Sequence, residues 1–428
     1  MANPSLQIGN SNWAIKEDNL LGYSTAGTRF VPQPITMTRA SAGTRVNSSG
    51  LVETVELLGS NVVTNGDFAT DSDWNKGTGW SISGGSATLS VQAGSSSLSS
   101  STMTVTVGKI YKVTVNVSAT STGFRLYDAL GVVSYGLSLG ENVFYRTPSS
   151  STYTVTPLGL AGATGTISNV SVKEYAANNL ARVDYDGTAS SLLAEPMRTN
   201  EFTQSNQFDT TWNQSGTLTS GQDGVGGSTD AWKFENPNAT SSIFQYDTTS
   251  GEQTMSAYFK KNSNYGVRFY AFGSVNTWAY FDLNNGVVVL TGNSTAKVES
   301  VGSDWFRCSM TFNQTNTRCD FYVTDNNATQ VVGNITLQMA QLEQGSYPTS
   351  YIPTDGGTVT RVQDQYSKTG ISNLINSEEG VLFVEMAALS NDLTNRSITI
   401  SDGSTNNIIQ ILFSSVSNTI RFIIRVGG

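Results

Sequence analysis

Between Tyr111 and Val117 the chain reads YKVTVNV, with apolar and polar residues alternating without a break. Side chains of a β-strand point to opposite faces in turn, so such a run buries one face and wets the other. The pattern recurs in short pieces between Gly-, Asn- and Ser-rich turns, and no stretch keeps a helical period. Its polar half comes from Ser, Thr, Asn and Gln, since charged residues make up only 13% of the chain and glycine occurs 41 times. An average soluble domain carries about 25% charged residues. The expected fold is therefore all-β: tandem antiparallel β-sandwich modules of jelly-roll type, with an N-terminal attachment segment and a partial C-terminal sandwich.

The runs divide the chain into segments. Residues 1–60 open with Gly and Pro punctuation around Trp13 and Leu20–Leu21, then a hairpin in which Thr36–Arg45 and Leu51–Val55 flank an Asn-Ser-Ser-Gly turn. A hairpin of that size buries no core alone. Residues 61–178 form one sandwich, with strand runs such as Ala87–Val91, Met103–Val107 and Ile167–Tyr175. Residues 179–199 connect it to a second sandwich at 200–352. Phe202 and Phe208 precede Trp212 as Phe68 precedes Trp74, and ITLQMAQL takes the place of ISNVSVKEY. Duplication of one sandwich type accounts for both. A Pro- and Gly-rich linker is expected over 353–379. Residues 380–428 carry apolar runs at Val381–Met386, Ile398–Ile400, Ile408–Phe413 and Thr419–Val426. They are too few for a sandwich of about 100 residues. The expectation is a longer native chain or completion against another subunit.

The 428 residues contain no histidine. That removes Ser-His-Asp and Cys-His catalysis, imidazole general bases and His-ligated zinc. Carboxylate glycoside hydrolysis is the enzymatic chemistry left. A non-enzymatic role is expected, needing no cofactor. The net charge is −9 and the 24 cations form no dense run, so nucleic acid is not the expected partner. No apolar run approaches the ~20 residues of a membrane span, and no leader peptide is read at the start. In WFRCSMTF and RCDFYV, Cys308 shares parity with Met310 and Phe312, and Cys319 with Phe321 and Val323. Both thiols are expected to face inward as a reduced pair on two strands flanking a polar turn; a cross-strand disulfide is the alternative.

Four stretches resemble a group of bacteriophage tail and virion structural proteins. They are LQIGNSNWAIKEDNLLGY (Leu6–Tyr23), TMTRASAGTRVNSSGLVE (Thr36–Glu53), ARVDYDGTASSLLAEPMRTN (Ala181–Asn200) and QLEQGSYPTSYIPTDGGTVTR (Gln341–Arg361), the last joined by DWFRCSMTF (Asp304–Phe312). In such proteins the second and third stretches lie close together, so residues 61–175 read as a sandwich inserted into one framework. The resemblance implies a fibre or appendage subunit carried on a virion made in the host bacterial cytoplasm. It would be a homotrimer, bound to other virion proteins through residues 1–60, with modules like carbohydrate-binding modules facing host surface glycans. The run after Gly380 resembles the start of a laminin-G/concanavalin-like sandwich. The alternatives are a purely architectural capsid-decoration, head-fibre or collar protein, and a tailspike-like glycosidase.

Sugar-binding sandwiches stack a pyranose face on an exposed aromatic ring framed by polar side chains. Trp74, Trp80, Trp212, Tyr265, Tyr270 and Trp278 are the candidates, and the plain alternative for each is a core plug. In AWKFE only one parity can face inward, and Trp232 is read as core. Asp67, Asp71 and Asp73 in one turn-rich run are the candidate ligands of a structural calcium, with Asp184 and Asp186 a second such pair; solvated turn residues are the alternative. Arg39 and Arg45 are expected at the surface, paired with Glu53 or Glu56 or docked on the virion.

Overall fold

The computed structural model describes residues 35–427 except 129–132, 303 and 377, and of residues 1–34 only the backbone of Leu6–Gln7, Ala14–Lys16, Asn19–Ala26 and Arg29–Pro34. Trp13 lies outside the described residues. The chain forms two compact units: residues 56–177, and residues 1–55 together with 178–428. The first unit is thus an insert in the second.

The insert is a two-sheet antiparallel sandwich. One sheet runs Trp80–Ser83, Ser86–Leu89, Gly165–Ala176, Ile110–Thr120, Gly140–Arg146, with Leu57–Asn61 paired to the end of Gly165–Ala176. The other runs Val133–Gly136, Phe124–Asp128, Val155–Gly159, Ser96–Ser100, Trp74–Lys76. The YKVTVNV alternation sends Tyr111, Val113, Val115 and Val117 into the core, where they meet Ile167, Val170 and Val172.

The second sandwich repeats this order. Thr217–Gln222, Ala231–Glu235, Asn334–Gln344, Ser250–Lys260 and the first half of Trp305–Thr324 follow one another in one sheet. Asn213–Gln214, Ser242–Tyr246, the second half of Trp305–Thr324, Gly266–Gly273 and Thr277–Asp282 form the other. Val287–Gly292 and Thr295–Ser300 add one strand to each sheet. Equivalent anchors sit at the mouths. Phe68 meets Trp74 at 5.1 Å between ring centroids and Phe208 meets Trp212 at 5.1 Å. Both tryptophans donate Nε1–H to a backbone carbonyl, of Asn65 and of Gln204.

The polar turn expected between the cysteines is absent. Trp305–Thr324 is a single strand of 20 residues that passes from one sheet into the other. Gln314 and Asn316 at the crossing are buried, and their amides are satisfied: Asn316 donates to Asp247 (3.0 Å) and Gln253 (2.8 Å), Gln314 to Asn316 (2.7 Å). A hydrogen-bonded amide cluster lets a polar run cross a core without an open turn. Cys308 and Cys319 are free and buried in that core. Trp232 and Phe234, two residues apart, both face inward.

The remaining segments of this unit are tied together by charge. Arg39, Arg182 and Arg361 are fully buried beside Glu195 and Asp364. Arg39 pairs with Asp364 at 2.8 Å, Arg182 bridges Glu195 and Asp364, and Arg361 reaches Glu195 at 3.1 Å. The surface position expected for Arg39 is therefore wrong, because its partner stands 325 residues away in sequence. Arg45 does pair with Glu53, at 3.1 Å, while Glu56 takes Lys112. Residues 353–379 do not serve as a free linker over their first part: Val359–Arg361 pairs with Arg198–Asn200, and Gln365–Ser367 with Thr36–Thr38. Near the end, Arg396–Ser401, Ile408–Phe413 and Ile420–Arg425 form a three-stranded sheet. Val381–Met386 forms no strand, and Val381 and Phe383 are 94% and 83% exposed. Alternation makes a strand only where a neighbour accepts its hydrogen bonds.

Candidate functional site

The outer face of one sheet of the second sandwich gathers aromatic side chains. Along Gly266–Gly273 the inward residues are Val267, Phe269 and Ala271, which leaves Arg268, Tyr270 and Phe272 on the outer side. Register then builds rows across four strands. Ser242, Tyr322, Arg268 and Tyr280 form one, and Phe244, Asp320, Tyr270 and Trp278 the next. Tyr246, Arg318 and Phe272 form the third. Directly opposed side chains on one face lie about 5 Å apart, close enough to work as one surface.

Two arginines set into the rings organise this face. The Arg268 guanidinium lies 4.1 Å from the Tyr270 ring centroid and also faces Tyr280 and Tyr322 at 5.2 and 5.5 Å. Arg318 is held between Phe244 and Phe272, 4.2 Å from each. Such cation–ring contacts hold the guanidinium over the ring faces and restrict its rotamers. Asp320 accepts from Arg318 Nε (2.7 Å) and from Ser242 Oγ (2.7 Å), and burial pushes its carboxyl above the usual range despite those partners. Tyr270 and Trp278 lie nearly parallel, at 12° and 6.4 Å. Gly292 makes room for Trp278, because a Cβ there would stand 2.2 Å from the indole ring. Tyr246, at the rim, is 69% exposed.

Of the sequence candidates, Tyr270 and Trp278 share this face. Tyr265 does not; its ring packs against Gly333 and the edge of the core. Trp74, Trp80 and Trp212 are core plugs, with Trp80 tilted against Phe124 at 5.9 Å. For Trp74 and Trp212 the reason is the anchor geometry above, an indole N–H taken by a nearby carbonyl, whereas Trp80 is held inward by packing in the core, its Nε1–H having no partner among the described residues. Asp67, Asp71 and Asp73 do not converge. Asp71 pairs with Lys76, Asp73 accepts from Ser72 Oγ, and Asp67 caps the Ala69 amide. Asp184 accepts from the Val46 amide. Among the described residues no group of three acidic or Cys side chains is placed to hold a metal. Sequence reading missed Tyr246, Tyr280, Tyr322, Arg268 and Arg318. Their parity within each run marked them as outward, but not as neighbours.

No family model matches the chain, and no curated protein matches it. A solved structure does. The N-terminal tandem of CBM22 domains of Paenibacillus barcinonensis Xyn10C aligns with 73% of this chain and 98% of its own length, at 11% identity and a TM-score of 0.19. A likeness at that score carries no argument about what this chain binds.

Proposed function

We propose that the aromatic–arginine face built on Ser242–Tyr246, Gly266–Gly273, Thr277–Asp282 and the second half of Trp305–Thr324 binds glycan. We propose further that the chain is an adhesive fibre or appendage subunit of a bacteriophage virion. The observation that carries the first part is the cluster of Tyr270, Trp278 and Tyr280, from two adjacent rows, beside the ring-stacked Arg268. Ring faces of sugars present C–H groups that pack on aromatic surfaces, while guanidinium and carboxylate groups bond the ring hydroxyls. The second part rests on the four sequence stretches. Three of them furnish four of the five charges in the buried arginine–carboxylate cluster: Thr36–Glu53 brings Arg39, Ala181–Asn200 brings Arg182 and Glu195, and Gln341–Arg361 brings Arg361. Assembly as a homotrimer belongs to the same reading, supported by the exposed Ile420, Phe422 and Ile424 on the last strand.

Binding of the full chain to purified host surface polysaccharide tests the face. Trp278→Ala with Tyr280→Ala is expected to weaken it at least tenfold, about 1.4 kcal/mol, with unchanged folding. Unchanged affinity overturns the assignment. Release of reducing sugar, abolished by a single Asp or Glu substitution, would replace it with a hydrolase.

A further inference from the structure

The insert carries a different surface. On Ile110–Thr120 the outward residues are Lys112, Thr114 and Asn116, and on Gly165–Ala176 they are Asn169, Ser171 and Lys173. Register aligns them in rows: Lys112 opposite Lys173, Thr114 opposite Ser171, Asn116 opposite Asn169. Gly140–Arg146 extends the rows with Tyr145 beside Lys112 and Glu141 beside Asn116. Successive rows stand roughly 7 Å apart along the strands. They line a shallow cavity of about 210 Å³. At one end the Tyr145 and Tyr175 rings meet at 4.7 Å.

The second sandwich has an equally polar face in the same place, and there it is covered. Thr254, Gln338, Gln341 and Glu343 are buried on the equivalent strands, Ser250–Lys260 and Asn334–Gln344. Each is bonded to nearby chain: Thr254 to Gly345 O, Gln338 to the Val225 amide, Gln341 to the Ile352 amide, Glu343 to Thr349. In the insert, Thr114, Asn116, Asn169 and Ser171 are half-buried, and their side chains form no hydrogen bond among the described residues. Half-buried hydroxyls and amides without protein partners leave bonding capacity directed outward.

We infer that this groove is a second binding site, for an uncharged oligosaccharide. Hydroxyl and amide rows match the alternating donors and acceptors of sugar hydroxyls, and the tyrosine pair offers a ring face. Two cations are countered by two carboxylates: Lys112 donates to Glu56 at 2.7 Å, and Glu141 lies in the same groove as Lys173. The balance gives an anionic ligand no net attraction. The site is independent of the aromatic face, which lies on the other sheet of the other sandwich.

Isothermal titration of the full chain with xylohexaose, cellohexaose and mannohexaose, and with an oligogalacturonate as the anionic counterpart, tests this. The aromatic-face variant Trp278→Ala/Tyr280→Ala should still bind a neutral hexasaccharide. That binding should fall at least tenfold in Asn116→Ala/Asn169→Ala, and also in Ser171→Trp, which fills the groove from an outward position; unchanged melting of both verifies folding. The inference is overturned if the aromatic-face variant binds no neutral hexasaccharide, if groove variants bind as well as their parent, or if galacturonate is the ligand retained. Loss in the aromatic variant alone leaves the first face standing and removes this one; loss in groove variants alone does the reverse.

Discussion

Glu195→Gln removes one of the two carboxylates that neutralise Arg39, Arg182 and Arg361. The cluster then holds three buried guanidinium groups with Asp364 as the one carboxylate still in direct ion pairs with them among the described residues. Removing one partner of a buried ion pair costs about 3–5 kcal/mol. The displaced ionisation of Glu195 gives a second magnitude. Burial opposes ionisation of Glu195, but Arg361 and Arg182, with the Ser350 hydrogen bonds, bring its carboxyl from 4.5 down to about 2. Each pH unit is worth about 1.4 kcal/mol, so the ionised group stabilises the fold by about 3 kcal/mol. The folded value lies below the unfolded one. The contribution is thus complete above about pH 4.5, fades as the pH falls toward 2, and is reduced by about 2 kcal/mol near pH 3. Urea denaturation read by pulsed hydrogen exchange and mass spectrometry follows residues 178–428 separately from the insert. At neutral pH the variant's transition in 178–428 should move by about 3 kcal/mol or more. Between roughly pH 5 and pH 3 its stability should fall about 2 kcal/mol less than that of the wild type. A variant as stable as the wild type at neutral pH, or one with the same acid slope, refutes the role given to this cluster.

Burial pushes the Cys308 and Cys319 thiols well above their ordinary range, so Ellman's reagent should label neither in the native protein and both in guanidinium; no thiol after denaturation would mean a disulfide. Phe68→Ala should destabilise the insert, and Phe208→Ala the second sandwich, by about 3–5 kcal/mol each. A cost below about 1 kcal/mol at either position would break the equivalence of the two anchors. Light scattering should give three copies per particle and a smaller particle for Phe422→Ser/Ile424→Ser; a monomer at high concentration refutes the trimer.

In the runs that become strands, alternation alone determined which residues face inward. Tyr111–Val117 and the cysteine runs were readable because strand side chains have a period of two, and burying one face fixes the parity. The recurrence of Phe before Trp made the repeated sandwich legible for the same local reason. Tertiary structure decided what period cannot encode: which strands are neighbours. Arg268 is ringed by Tyr270, Tyr280 and Tyr322 only once Gly266–Gly273 lies between its two partners. Arg39, read as a surface residue, is buried because Asp364 folds back onto it. The polar NQTN between the cysteines looked like a turn, yet it continues a strand because Asp247 and Gln253 arrive to satisfy it. Val381–Met386 has a strand's alternation but no strand partner among the described residues, so it stays irregular. Local pattern sets the face of a side chain, and long-range pairing sets its company; the candidate sites are made of company.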